Sequence, residues 1–535
     1  MILLLASFFL FSDQIYVNGQ FTTLSTTQPQ AKVLVVRDQH IAFIGDSIPE
    51  AYKDLPQIDL KGKWVLPGLT DAHAHLLGQG NAMERIDLRG TLSFNEIINK
   101  IAAKSEKTPL GQWILGRGWD QNLWDETALP HHLRLSMKTP NHPVCLYRVD
   151  GHAAILNQKA MVLLGINPKT ITPAGGQILK EKGQPTGVLI DNAMTLIQFP
   201  GLSQTETKRR LALAANYAAS LGLTGIHDAG VTSSYLEALE SLYKANELPI
   251  RVYAMLEQQK ETLEQELPKG PRLDLYRGFL TVRCIKVYAD GALGSRGAWL
   301  KEPYTDLPGH VGLQITSKDQ FQDILGKAKK HGFQVATHAI GDRANRFVID
   351  MYREALGPNL SDQRYRIEHA QILDLNDLDL FHQSGVIPSM QPTHCTSDMD
   401  WAGIRLGAKR LDGAYAWRKF LESGCYIPMG SDFPVEKVSP WDGLYSAVTR
   451  QHQDGTPVGG FFPSQNLSRL EALKGFTIWA AKASFREKTL GSLEIGKYAD
   501  FTVIDRDYFS IPVMDIPHIR VLRTVIGGET VFKQL

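Results

Sequence analysis

The stretch "WVLPGLTDAHAH" (residues 64–75) runs apolar through Trp64, Val65 and Leu66 and closes on two histidines, His73 and His75. On a helix, positions i and i+2 point to nearly opposite sides, whereas on a strand they share a face. Pro67 and Gly68 argue against helix, and the apolar run before them predicts a strand. Two imidazoles on one face can grip a single metal ion, since neutral histidine is a common ligand. An isolated pair of this kind is more often plain polar surface, so its meaning depends on what the rest of the chain brings to it.

Working outward, a looser alternation of apolar strand and amphipathic helix recurs. "LTGIHDAG" (223–230), "IRVYAMLE" (250–257), "TVRCIKVYADG" (281–291), "FQVATHAIGD" (333–342), "RYRIEHAQ" (364–371), "VIPSMQPTH" (386–394) and "CYIPMGSDFP" (425–434) each precede helix-like sequence. With the opening stretch this makes eight strand candidates. Continuous apolar strands alternating with helices predict a parallel sheet covered on both faces, and eight units are the count for a (β/α)8 TIM-like barrel in the α/β class. The alternative, a doubly wound open sheet, usually carries a glycine-rich phosphate turn after its first strand, and none is present. Residues 1–66 and 485–535 are strand-rich with turn signals, which predicts one small composite β-sandwich domain built from both termini around a barrel of residues 67–484. About 150 residues separate the first two strands, far more than a crossover needs. This insertion, about 80–205, is expected on the loop-bearing face as a cover for a pocket.

Composition narrows the function classes. The chain has 535 residues, 43% hydrophobic and 21% charged, with a formal net charge of +1. That suits a globular protein with a large core and gives no broad pull toward nucleic acid or acidic membranes. Cys145, Cys284, Cys395 and Cys425 are far apart with no CxxC pair, which excludes a cysteine zinc site and predicts free thiols. "MILLLASFFLFS" (1–12) resembles the apolar region of a signal peptide but lacks a basic start and a small-residue cleavage site, and it is too short to span a bilayer as a helix. "DQIYVNGQFTTL" (13–24) predicts a strand and hairpin. A cytoplasmic protein is the favoured reading and an exported one the alternative, with no integral membrane span expected. A homodimer is compatible with the chain, although no motif argues for one.

Metal-competent groups stand at the C-terminal tips of the strand candidates: His73 and His75 on the first, Lys286 in the fourth, His338 on the fifth, His369 on the sixth and Asp432 on the eighth. Barrel active sites are assembled at that end, where side chains from different strands converge. The lysine is the odd member, because a buried ammonium beside divalent cations is electrostatically hostile. Burial lowers a lysine's pKa, and the neutral amine adds carbon dioxide to become a carbamate, an anionic ligand able to bridge two metals.

The chain resembles the amidohydrolase superfamily, specifically amidohydrolase family 3, whose members include N-substituted formamide deformylases. The resemblance runs almost end to end and rests on "VLPGLTDAHAHL", "GRGWD", "YRVDGHAAILN", "IKVYADGALGSR", "THAIGDRAN", "RIEHAQ", "GSDFPV" and "GSLEIGKYADFTVID". It implies a barrel with a composite β domain. It also implies that His73, His75 and Asp432 hold the more buried metal, His338 and His369 the second, and carboxylated Lys286 bridges them. Two Zn2+ per chain are the expectation, with Mn, Fe or Co as alternatives. The implied reaction is hydrolysis of a non-peptide C–N bond in a small-molecule amide or N-substituted formamide by metal-activated water, with Asp432 as general base and then acid.

Trp119, Asp150, His152 and Arg296 are weaker candidates for touching substrate, each with a plain structural reading beside it: packing for Trp119, a satisfied structural histidine for His152, a loop salt bridge for Arg296. Asp342 is expected to cap the following helix, and His227, His382 and His394 to be ordinary. Two rivals stand against the main reading. One is a mononuclear aminohydrolase acting on a ring carbon with Lys286 unmodified; the other is a non-catalytic barrel kept for binding or regulation, which the retention of all six metal-competent groups opposes.

Overall fold

The computed structural model describes residues 12–125, 128–149, 152–173, 175–199 and 201–534. The apolar stretch 1–12 therefore lies outside the described residues except for Ser12, and so does Asp150 among the candidate substrate contacts.

Seven parallel strands, with the short antiparallel Arg272–Asp274 attached at one of them, form the central sheet among the described residues. They are β1 (Leu69–Ala74), β2 (Leu223–Val231), β3 (Arg251–Glu257), β4 (Leu280–Tyr288), β5 (Gln334–Ala339), β6 (Arg366–His369) and β7 (Ile387–Ser389), paired in chain order. The eighth candidate is not a regular strand. Met429 bridges Met390, Gly430 N donates to Met390 O, Ala72 N donates to Met429 O, and Asp432 N donates to His73 O. Residues 428–432 thus close the ring between β7 and β1 without a full ladder, because Pro428 has no N–H to give. The result is a nearly closed parallel barrel.

The barrel strands are buried on both faces and are wrapped by helices, as continuous apolar runs require. Helix Lys318–His331 starts at a reciprocal cap between Ser317 and Gln320 and stops where Gly332 adopts φ 76°. Inside the ring, Ala229, Tyr253, Met255, Cys284 and Ala336 pack as one layer. All four cysteines are free, Cys145, Cys284 and Cys395 fully buried.

Two sequence expectations need correction. "WVLPGLTDAHAH" is two strands: Trp64–Pro67 pairs with Phe501–Ile504 and Gln20–Thr22, and Leu69–Ala74 enters the barrel. The break falls at Gly68, where a Cβ would stand 2.3 Å from Thr224 Oγ1. The hairpin in "DQIYVNGQFTTL" does not form, because Gln14–Val17 pairs with Val33–Arg37 and Gln57–Asp59 while Gln20–Thr22 joins the other sheet.

Both ends of the chain do share a six-stranded sheet, in which Phe501–Ile504, Val521–Ile526 and Glu529–Lys533 join three N-terminal strands, and Tyr16, Leu34, Val65, Phe501 and Val525 share a core with the four-stranded sheet. It is tied to the barrel by buried contacts. Arg251 at the start of β3 forms a buried ion pair with Asp500, and the Thr502 and Thr524 hydroxyls donate to Gly222 O and Ala219 O. Residues 12–79 and 204–534 accordingly form one compact unit. These ties lie at the N-terminal ends of the strands, which leaves the C-terminal ends to the site. Residues 80–203 form a second compact unit with its own six-stranded mixed sheet. No helix among the described residues is long and apolar enough to cross a membrane.

Candidate metal centre

Alternation along β1 puts Asp71, His73 and His75 on one face. Asp71 lies deepest, and its carboxylate accepts from His73 N at 3.0 Å, Ser431 N at 3.1 Å and Ser431 Oγ at 2.6 Å. It staples the irregular eighth segment to β1 and so sets Asp432 beside the histidines. His75 Nε2 lies 3.0 Å and His73 Nε2 3.6 Å from Asp432 Oδ1. The His369 ring centroid is 4.9 Å from that of His73 and 4.5 Å from that of His338. His369 (φ 75°) and Asp432 (φ 61°) both hold left-handed backbone. For residues with side chains this costs about 1–3 kcal/mol and persists where the surroundings over-determine it, commonly at working sites.

The second nitrogen of each imidazole reveals what the first can do. His73 Nδ1 meets Glu368 Oε2 at 2.5 Å, His75 Nδ1 meets Ala229 O at 2.9 Å, and His369 Nδ1 meets Gln391 Oε1 at 2.7 Å. His338 Nε2 faces Gly291 O and Asp290 Oδ1, each at 3.5 Å. Every one of these partners is an acceptor, so each named nitrogen carries the hydrogen and the other turns a lone pair inward. Lone pairs of His73 and His75 gathered on a carboxylate oxygen repel one another unless a cation sits among them. Asp432 Oδ1 has no hydrogen-bond partner of its own in this buried rim. The donor set therefore fits a divalent metal, with the outer nitrogens anchored as metal-bound histidines require.

Electrostatics agree. Burial, followed by the neighbouring Lys286, brings His73 down to about 4 and His338 to about 3, so both are neutral. Lys286 Nζ lies 3.0 Å from His73 Nε2, and burial pulls it down to about 8 against the raising influence of Glu368 and Asp432. Burial would raise Glu368, but the Arg366 guanidinium and His73 outweigh it and keep the carboxyl ionised.

Of the remaining candidates, Trp119 is fully buried within the second unit, its Nε1 donating to Leu146 O at 2.7 Å, which is the packing role. His152 Nδ1 lies 2.9 Å from Asp191 Oδ1 in the same unit. Arg296 pairs with Asp306, Nη2 to Oδ2 at 2.8 Å and Nε to Oδ1 at 3.2 Å, a loop salt bridge. Asp342 is not the cap of helix Asp342–Leu356. That position is Gly341, and the Asp342 carboxylate, at the first helical residue, accepts from Arg343 N in the first turn and from Lys301 N.

The structure adds residues that sequence reasoning passed over. His394, for which the sequence predicts no special role, lies at the rim with Nε2 3.6 Å from Asp432 Oδ2. It ends the seventh strand candidate, so the strand-tip rule that found the others pointed to it as well. Arg366 and Glu368 share an inward face of β6, a signal legible as the i, i+2 pair within "RIEHAQ".

Comparisons with known proteins bear on this geometry. The chain is 32% identical to Protein LONG AFTER FAR-RED 3 of Arabidopsis thaliana, over 97% of this chain and 92% of that one. It is 27% identical to the N-substituted formamide deformylase of Arthrobacter pascens, over 96% and 97%. Its fold superposes on the crystal structure of an uncharacterized metal-dependent hydrolase from Pyrococcus horikoshii OT3 with a TM-score of 0.80 at 28% identity, covering 94% of this chain and 99% of that one. The family model described as the amidohydrolase family matches residues 57–532. With that match across the barrel and its terminal sheet, the chain belongs to the amidohydrolase family.

Proposed function

We propose that this protein is a metal-dependent hydrolase of non-peptide C–N bonds, acting on small-molecule amides or N-substituted formamides. The observation that carries this reading is the set of four imidazoles at the rim beside Asp432, each with its outer nitrogen anchored on an acceptor. The resemblance to a formamide deformylase over nearly the full length of both chains supports it. His73, His75 and Asp432 would hold one divalent ion, His338 and His369 a second, with Lys286 as a carbamate between them. Such ions supply positive charge that polarises a carbonyl and acidifies water.

Asp432, set beside His75 and His73 at the rim, is the carboxylate placed to accept a proton. As the water oxygen bonds to the carbonyl carbon, Asp432 takes the water's proton. When the C–N bond breaks, the same proton goes to the departing nitrogen, which gives a carboxylic acid and a neutral amine. Glu368 and Gln391 keep the rings of His73 and His369 turned inward throughout.

The test is a panel of N-formyl and N-acyl amines offered to protein reconstituted with Zn2+ and bicarbonate. Wild type is expected to hydrolyse part of the panel, and Asp432→Asn and His338→Ala to lose turnover while melting as wild type does. Undiminished hydrolysis by either variant overturns the assignment. One observation favours a second reading: the Lys286 Nζ–His73 Nε2 contact suits an unmodified lysine beside a single ion, as in a mononuclear aminohydrolase. One metal per chain, ammonia as product and indifference to bicarbonate select that reading.

A further inference from the structure

One more imidazole at the rim carries the opposite hydrogen pattern. His394, in the first turn of helix Pro392–Leu406 after β7, is buried and stacks on His369 with ring centroids 5.6 Å apart. By position it could be counted a ligand, since its donor atom lies within 4.8 Å of those of His369 and Asp432. Its other nitrogen argues against that. His394 Nδ1 lies 3.2 Å from Gln371 Nε2, an amide NH2 group that can only donate.

The amide orientation is set from its far side. Gln371 Nε2 also lies 3.5 Å from Asp398 Oδ2, an oxygen that already accepts from the Tyr415 hydroxyl at 2.6 Å. Turned over, the amide would press its own oxygen against that carboxylate. So Nδ1 accepts, and the single hydrogen of the neutral ring sits on Nε2. That nitrogen is buried, has no hydrogen-bond partner, and faces Asp432 Oδ2 at 3.6 Å. Four rim histidines point a lone pair inward; His394 points a hydrogen.

We propose that His394 is the hydrogen-bond donor to the substrate's carbonyl oxygen and not a metal ligand, with Gln371 as the residue that positions it. This rests on the hydrolase reading above. As the water oxygen bonds to carbon, the C=O π pair moves onto the carbonyl oxygen, and the Nε2–H bond strengthens toward that growing charge. The hydrogen stays on nitrogen, and the transferred proton remains with Asp432. A preset donor of this kind is worth about 10²–10³ in kcat.

Three measurements on the full-length Zn2+-loaded protein test this. In ¹⁵N-histidine spectra, the signal lost in His394→Gln is expected to be that of a neutral ring protonated at Nε2; an Nδ1-protonated ring there overturns the proposal. His394→Phe is expected to keep the wild-type metal content, and loss of an ion makes His394 a ligand and ends the proposal. On the best amide of the panel, His394→Phe is expected to lose about 100–1000-fold in kcat with KM little changed, and His394→Gln, whose amide still donates, to recover part of that. Wild-type kcat in His394→Phe overturns this inference alone. Wild-type inactivity across the whole panel overturns the hydrolase reading and the inference with it.

Discussion

Glu368 holds His73 through Nδ1 and is itself held by Arg366, whose Nε lies 2.7 Å from Oε1 and whose Nη2 lies 3.0 Å from Oε2. All three side chains are fully buried, so removing one charge strands the other. Glu368→Gln is expected to cost about 3–5 kcal/mol in urea unfolding, the penalty of a buried unpaired guanidinium. Freed from its anchor, His73 is expected to bind metal about 10–100-fold more weakly in a chelator competition. Wild-type values on both counts would show that the pair neither stabilises nor orients. Asp71 makes a second residue-scale prediction, with the opposite sign to an ordinary salt-bridged carboxylate. Burial pushes it up to about 7 despite the hydrogen bonds from Ser431 and His73 that lower it. Its folded pKa thus exceeds its unfolded one, the folded state holds a proton that the unfolded chain releases, and stability falls as pH rises from about 4 to 7. In metal-free Asp71→Asn the loss of unfolding free energy between pH 5 and pH 7 is expected to shrink by up to about 2 kcal/mol; an unaltered slope would assign it to other groups.

Among the elements, the irregular eighth segment has the greatest consequence. A regular β-strand would present its side chains in strict alternation. Here the ladder is replaced by a few bonds to β7 and β1 and by the Asp71 staple, and Asp432 turns into the site with positive φ. Gly430 makes that approach possible: a Cβ there would stand 2.4 Å from Asp71 Oδ1 and 2.5 Å from His73 N. The second of these is backbone and cannot swing aside. Gly430→Ala is therefore expected to destabilise by about 1–3 kcal/mol, in the range for overpacking, and to lose metal as β1 and Asp432 separate. A melting temperature and metal content equal to wild type would show that the closure is looser than its contacts. The sequence announced this element only in part, since "GSD" marked the carboxylate while Pro428 and Gly430 left its backbone path open.

At the scale of the whole molecule, barrel and terminal sheet stand or fall together. Asp500 binds Arg251 through both oxygens and also accepts from Gly527 N, a buried junction between β3 and the C-terminal strands. Deleting residues 501–535 removes the partner of Trp64–Pro67 and leaves that strand as an exposed edge on one side. The truncated chain is expected to aggregate or be digested by trypsin where wild type resists, and recovery of a folded, metal-binding barrel would show the sheet to be dispensable. The alternation of apolar strands with helices made the barrel legible from the sequence, because backbone periodicity and burial on two faces are local constraints. The residue types at the strand tips were legible for the same reason, since a strand's end is marked by its own neighbours. What only the tertiary structure decided is which nitrogen of each imidazole faces inward. That depends on a hydrogen-bond partner brought from far away, 295 positions for His73 and Glu368 and 23 for His394 and Gln371. A ring is ligand or donor according to whether that partner accepts or donates, and the pairing exists only once the barrel has closed.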